Sequence, residues 1–172
     1  KSYPVLLWGY QEHYVNQTNS IKENKKFLPG IKIPSSVHFS SDLSKAIDYA
    51  EIIILAIPSE YLTSVLLKIK KTNYQKKIFL SVVKGIHPQS FKRMSELIVE
   101  YLNPKQLAIL SGPTIASELA RGLATTAVIS SSSSKLNTEL QQIFNSKVFR
   151  IYTNKDVVGT EVGGSIKNVI AI

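Results

Sequence analysis

The sequence predicts an α/β fold built on a mostly parallel sheet. Two observations carry that reading. Strand-like and helix-like segments alternate almost throughout the 172 residues. The clearest strand, residues 51–57, is aliphatic on both faces, as in a parallel strand covered by helices. A content of 44% hydrophobic and 19% charged residues is enough for one core in a single domain.

The elements follow in order. Residues 5–9 read as a short strand ending in a turn, and residues 11–25 as polar and partly helical. Pro29-Gly30 and Pro34 mark a loop before a short strand at residues 37–39. Ser41 is the expected cap of a helix over residues 42–50. Pro58-Ser59 ends the buried strand and opens a helix to about residue 70. A second buried strand covers residues 78–83. Ser90 opens a helix to residue 102, with Met94, Leu97, Ile98 and Tyr101 on one face. Strands at 106–110 and 125–130 flank a short helix at 114–121. The serines at 130–134 form a loop whose last member can cap a helix over 135–144. A last strand at 148–152 precedes a long apolar helix from Asp156, and a domain boundary falls near residues 153–156.

Composition removes several classes of function. With no Cys, disulfides, thiolate nucleophiles and Cys-ligated metals are excluded, which fits a reducing compartment. No apolar run approaches the roughly 20 residues of a membrane span, and no long apolar region follows the N-terminus as in a signal peptide. His13, His38 and His87 share no ligand spacing, so no metal is expected. The chain starts without Met and finishes inside an apolar helical pattern, so it reads as part of a longer protein. The net charge of +9 comes mostly from Lys, with only three Arg. Its densest cluster, Lys68, Lys70, Lys71, Lys76 and Lys77, lies where a helix should end. A solvated helix C-terminus explains it better than a nucleic-acid patch. A basic field also suits a small anionic substrate.

Four places can carry chemistry. The end of the first strand, Gly9-Tyr10-Gln11-Glu12, is where a nucleotide fold reads its ribose, and Tyr10 can stack on an adenine or be an ordinary turn aromatic. No Gly-x-Gly-x-x-Gly occurs among the eight glycines. Lys84 stands at the carboxyl end of a buried strand, where open sheets bind ligands, though a Lys leaving the sheet for water looks the same. Ser111-Gly112-Pro113-Thr114 can present backbone N–H groups to an anion, or form a tight turn capped by Thr114. On the last helix, Gly163, Gly164, Lys167, Asn168 and Ala171 share one side. Helical glycines cost about 1 kcal/mol each. Either they leave room beside a desolvated, proton-trading Lys167, or they permit a close helix contact while Lys167 snorkels outward.

Taken together, Leu28-Pro29-Gly30-Ile31, Ala56-Ile57-Pro58-Ser59, Val83-Lys84-Gly85, Leu110-Ser111-Gly112-Pro113-Thr114, Ala120-Arg121-Gly122 and Ser165-Ile166-Lys167-Asn168-Val169-Ile170-Ala171 resemble, in order and spacing, the bacterial NAD(P)-dependent sn-glycerol-3-phosphate dehydrogenases. The resemblance covers nearly the whole chain. It implies a Rossmann-like, mostly parallel sheet lacking its first strand–helix unit over residues 1–154. Residues 155–172 then begin an all-α C-terminal domain that binds substrate. It also implies reversible reduction of dihydroxyacetone phosphate to sn-glycerol 3-phosphate with NAD or NADP, for phospholipid synthesis in the cytoplasm. By the same resemblance Lys167 is the proton donor and acceptor, and Lys84 touches both cofactor and substrate. Gly112 and Thr114 bind substrate, and Tyr10 and Ala116 bind cofactor. A homodimer is compatible with it, and no nucleic-acid partner is implied. Tyr10 stands where many members carry Arg or His, and Ile166 replaces the usual Leu, which conserves volume. The 172-residue chain alone is expected to be inactive. A related hydroxy-acid dehydrogenase, or a non-catalytic module on a degenerate nucleotide fold, are the alternatives.

Overall fold

A computed structural model describes residues 3–170, with side chains through residue 166. The chain runs β1 (Val5–Trp8), α1 (Glu12–Ile21), β2 (Val37–Ser40), α2 (Leu43–Tyr49) and β3 (Ile52–Leu55). A short 3₁₀ turn, Ser59–Tyr61, leads into α3 (Leu62–Ile69) and β4 (Ile78–Ser81). The remainder is α4 (Met94–Leu102), β5 (Gln106–Ser111), α5 (Ala116–Ala120), β6 (Thr125–Ser130), α6 (Ser134–Phe144), β7 (Phe149–Asn154) and α7 (Val157–Ile170).

The α/β expectation holds. β1 and β2 pair in parallel as a two-stranded sheet, and β3-β4-β5-β6-β7 form a five-stranded one. All neighbours in the larger sheet are parallel except β5 and β6, which run antiparallel with Ser111 opposite Val128.

Alternation along β4 divides the core. Phe79 points into one cluster with Leu62, Leu66 and Ile69 of α3 and Met94, Ile98 and Leu102 of α4. Leu80 points into the other, with Leu110, Ile129, Ile151 and Leu136 and Leu140 of α6. Successive residues of a strand face opposite sides, so one short apolar strand nucleates two layers. Trp8 of β1 packs against the first cluster, which ties the small sheet to the large one, and its Nε1 donates to Ser41 O, just after β2, at 3.0 Å.

Several boundaries differ from the sequence reading. The cap of α2 is Asp42, not Ser41: its carboxylate accepts from Lys45 N at 3.1 Å. Ser90 does not open α4. Its hydroxyl is held by His87 Nδ1 at 2.9 Å, and Phe91 at φ 54° stops helix formation until Met94. Ser133 rather than Ser134 caps α6, accepting from Leu136 N at 3.2 Å. Strand β3 is only partly covered on one face: Ile52 packs against the second cluster, but Ile54 on the same face is 48% exposed.

Neighbouring residues on α3 supply a test of this packing. Leu66 is fully buried and Leu67 is 47% exposed. Leu66→Ala should lower unfolding stability by about 2–5 kcal/mol, and Leu67→Ala by less than about 0.5 kcal/mol. Urea denaturation midpoints of the two variants check this; equal losses would contradict the assigned helix face.

Candidate active site

The loops after β1, β3, β4 and β5 bring the sequence-selected residues to the carboxyl edges of the strands. Tyr10 follows β1 and is 73% exposed, with Gln11 Nε2 donating to its hydroxyl at 3.0 Å. Tyr61 stands in the short turn after β3. Glu60 holds the Tyr61 phenol above its ordinary pKa, and Tyr10 adds a smaller push in the same direction. The sequence reading did not single out Tyr61, which falls inside the helix expected after Pro58-Ser59.

Lys84 follows β4 and is half-buried. Its ammonium donates to Gly112 O at 3.1 Å and to Thr114 Oγ1 at 3.1 Å, and reaches Thr114 O at 3.5 Å. Three candidate residues from two separate loops are therefore in direct contact. Thr114 is not a helix cap: its hydroxyl is taken by Lys84, and α5 begins only at Ala116, after Ile115. With five residues, α5 has little dipole to offer an anion, so the charge at this edge comes from Lys84. Gly112 has no room for a side chain, since a Cβ there would meet Thr126 O at 2.9 Å. Ala116 is exposed nearby on α5.

Helix α7 is seated on the same edge. Thr160 Oγ1 lies 2.6 Å from Ser130 Oγ. Gly164 sits against β5, where a Cβ would fall 2.0 Å from Ser111 Oγ. Of the two helical glycines, Gly164 thus permits a close contact with the sheet, whereas Gly163 has open space. Ser165 Oγ accepts from Gly85 N at 3.1 Å and donates to Glu161 O at 2.9 Å. Position 167 follows on the helix backbone. The side chains of Lys167 and Asn168, and all of Ala171, lie outside the described residues.

Sequence reasoning missed Glu161, whose side chain is 5% exposed. It accepts from Arg93 Nη1 at 2.8 Å, from Ser95 N at 2.8 Å and from Ser95 Oγ. The available signal was its being the one acid after Asp156 in an otherwise apolar helix. Arg93 also pairs with Glu96 at 3.2 Å, and its backbone N–H donates to the Glu96 carboxylate at 2.8 Å.

The lysine cluster is elsewhere. Lys68, Lys70 and Lys71 end α3, and Lys76 and Lys77 precede β4. That is the amino edge of the sheet. Four strand residues span roughly 13 Å, beyond the screening length of about 8 Å at physiological salt. The cluster therefore adds little field at Lys84.

A family profile described as NAD-dependent glycerol-3-phosphate dehydrogenase N-terminus matches residues 1–137. The chain belongs to that family. It is 39% identical to glycerol-3-phosphate dehydrogenase [NAD(P)+] of Macrococcus caseolyticus over 171 residues, 98% of this chain and 52% of that protein. Against the Clostridium tetani protein of the same name, identity is 36% over 100% of this chain and 49% of the relative. The crystal structure of glycerol-3-phosphate dehydrogenase from Coxiella burnetii superposes with a TM-score of 0.90 at 28% identity, covering 97% of this chain and 51% of that one. The chain spans about half the length of the relatives it matches.

The donor set fits the dinucleotide that gives the family its name. An exposed aromatic ring at the end of β1 suits a base, and a half-buried ammonium beside backbone carbonyls suits an anionic or carbonyl group. Among the described residues, no three His, Cys, Asp or Glu side chains gather as metal ligands, and no helix is long and apolar enough to cross a membrane.

Glu96 gives this region a measurable pH response. The backbone N–H of Arg93, and then the Arg93 charge, hold its carboxyl below the usual glutamate value of 4.5. A depressed carboxylate stabilises the fold above its unfolded pKa, and that contribution is lost as pH falls through the lowered folded value. Glu96→Gln should therefore lose less stability than the wild type between about pH 7 and about pH 3. Urea midpoints at both pH values check it; parallel losses would remove Glu96 from the acid response.

Proposed function

We propose that the whole protein carrying this sequence reduces dihydroxyacetone phosphate reversibly to sn-glycerol 3-phosphate with NAD(P)H. The observation that carries this reading is the contact of Lys84 with Gly112 and Thr114 beside the seated helix α7. Family membership supplies the reaction class.

Bound NAD(P)H supplies the hydride to C2 of the ketone. Tyr10 and Ala116 would hold the cofactor. Lys84 holds the Gly112–Thr114 loop and presents positive charge to substrate and cofactor. Gly112 and Thr114 line the substrate. Lys167 donates a proton to the C2 oxygen as negative charge develops there, and takes it back in the reverse direction. The same proposal places the protein in the cytoplasm, in glycerophospholipid synthesis, as a homodimer; sedimentation of the whole protein tests the last point.

Two substitutions in the whole protein test the roles. Lys167→Met keeps the stem volume and removes the charge, so kcat should fall about 10²- to 10⁴-fold with the melting temperature retained. Lys167→Arg keeps charge but holds its proton too tightly, and should be similarly impaired. Lys84→Ala should raise KM for dihydroxyacetone phosphate and lower kcat. The combined loss in kcat/KM should be roughly 10- to 150-fold, the worth of a charge-assisted contact of about 1.5–3 kcal/mol. Wild-type kinetics in either the Lys167 or the Lys84 variants would remove that residue from the mechanism.

A further inference from the structure

The buried carboxylate of Glu161 is unused in the chemistry above. It stands one residue beyond the Thr160 contact with Ser130 and four before Ser165. Its side chain crosses to the first turn of α4, where Arg93 and Ser95 supply three donors. Its backbone carbonyl accepts from Ser165, whose hydroxyl accepts in turn from Gly85 N, the residue after Lys84. One residue therefore fixes α7 sideways to α4 and, through Ser165, longitudinally to the Lys84 loop.

The lever is short and steep. Six residues of helix from Glu161 to position 167 rise about 9 Å. A tilt of about 6° at Glu161 would displace position 167 by roughly 1 Å, an error that can cost about 10²-fold in rate. A group transferring a proton is far more sensitive to such a shift than a cofactor held at the ends of β1 and β4.

We propose that Glu161 is a positioning residue for proton transfer. It clamps α7 to Arg93 and Ser95 and links that helix through Ser165 to Gly85, so that the helix backbone at position 167 keeps a fixed place relative to the Lys84 loop. The proposal rests on Lys167 being the acid.

The test uses the whole protein and four variants: Glu161→Gln, Ser165→Ala, Lys167→Met and the double Glu161→Gln/Lys167→Met. Steady-state kinetics, NADH binding by fluorescence and thermal melting are measured on each. Glu161→Gln keeps the size of the side chain but exchanges an acceptor for a donor facing Arg93 and Ser95. Ser165→Ala cuts the link to Gly85 without burying a charge. Both should lower kcat about 10- to 100-fold while NADH Kd stays within about twofold of wild type. The double variant should be no slower than Lys167→Met alone, because a residue that acts through Lys167 has nothing left to position. Multiplying losses in the double variant would overturn the proposal, as would wild-type kcat in either single variant. If Glu161→Gln does not fold, Ser165→Ala with its own Lys167→Met double carries the same comparison. A fully active Lys167→Met would sink the assignment of the acid and this proposal together, whereas an impaired Lys167→Met with a wild-type Glu161→Gln and Ser165→Ala would sink the positioning role alone.

Discussion

A carboxylate taken out of water must have its lone pairs filled, and the arrangement around Glu161 follows from that requirement. Three donors from the start of α4 converge on it. Removing one partner from a buried pair leaves an uncompensated charge, at a cost of about 3–5 kcal/mol. The last helix therefore has a narrow choice of seat. Apolar packing alone would let α7 slide or roll along the sheet with little penalty. The ion pair, the Gly164 contact with Ser111 and the Ser165 bond to Gly85 together leave one register.

The direction of α7 depends on the single antiparallel step in the sheet. β5 runs toward the carboxyl edge, and β6 and β7 run back. The chain leaves β7 away from that edge, so α7 travels toward it. Thr160 meets Ser130, the partner of Ile109, and Gly164 meets Ser111. Four helical residues rise about 6 Å, and two strand residues advance about 6.6 Å. The helix thus keeps pace with β5 and carries position 167 past its end. Had β6 and β7 been parallel to β5, α7 would have started at the site and run away from it.

Much of this was legible in the sequence because it is local. The alternation of elements, the apolar runs of β3 and β4 and the long last helix are each written in a few adjacent residues. What escaped was decided by contacts between distant segments. Ser90 looks like a helix cap until His87 claims its hydroxyl, and Thr114 looks like one until Lys84 does. Ile54 reads as buried from its neighbours in sequence, yet it is exposed where Ile52 on the same face meets the second cluster. At the site, Lys84, Gly112 and Thr114 were each suspect singly, but their mutual contact spans 28 to 30 positions and has no sequence signature. Glu161 was passed over because one acid in an apolar helix says nothing of the arginine 68 residues upstream.

The lysine cluster puts a patch of positive charge at the end of β4 away from Lys84. Five ammonium groups gather where α3 ends and β4 begins, at the far end of the strands from Lys84. On a cation-exchange resin or an acidic colloid such a body has a preferred way of lying down, with its lysine end toward the support. The opposite end of β4, where Lys84 meets Gly112 and Thr114, then faces the liquid. Adsorption through that cluster would leave the Lys84 end of this chain exposed, without any engineered tag.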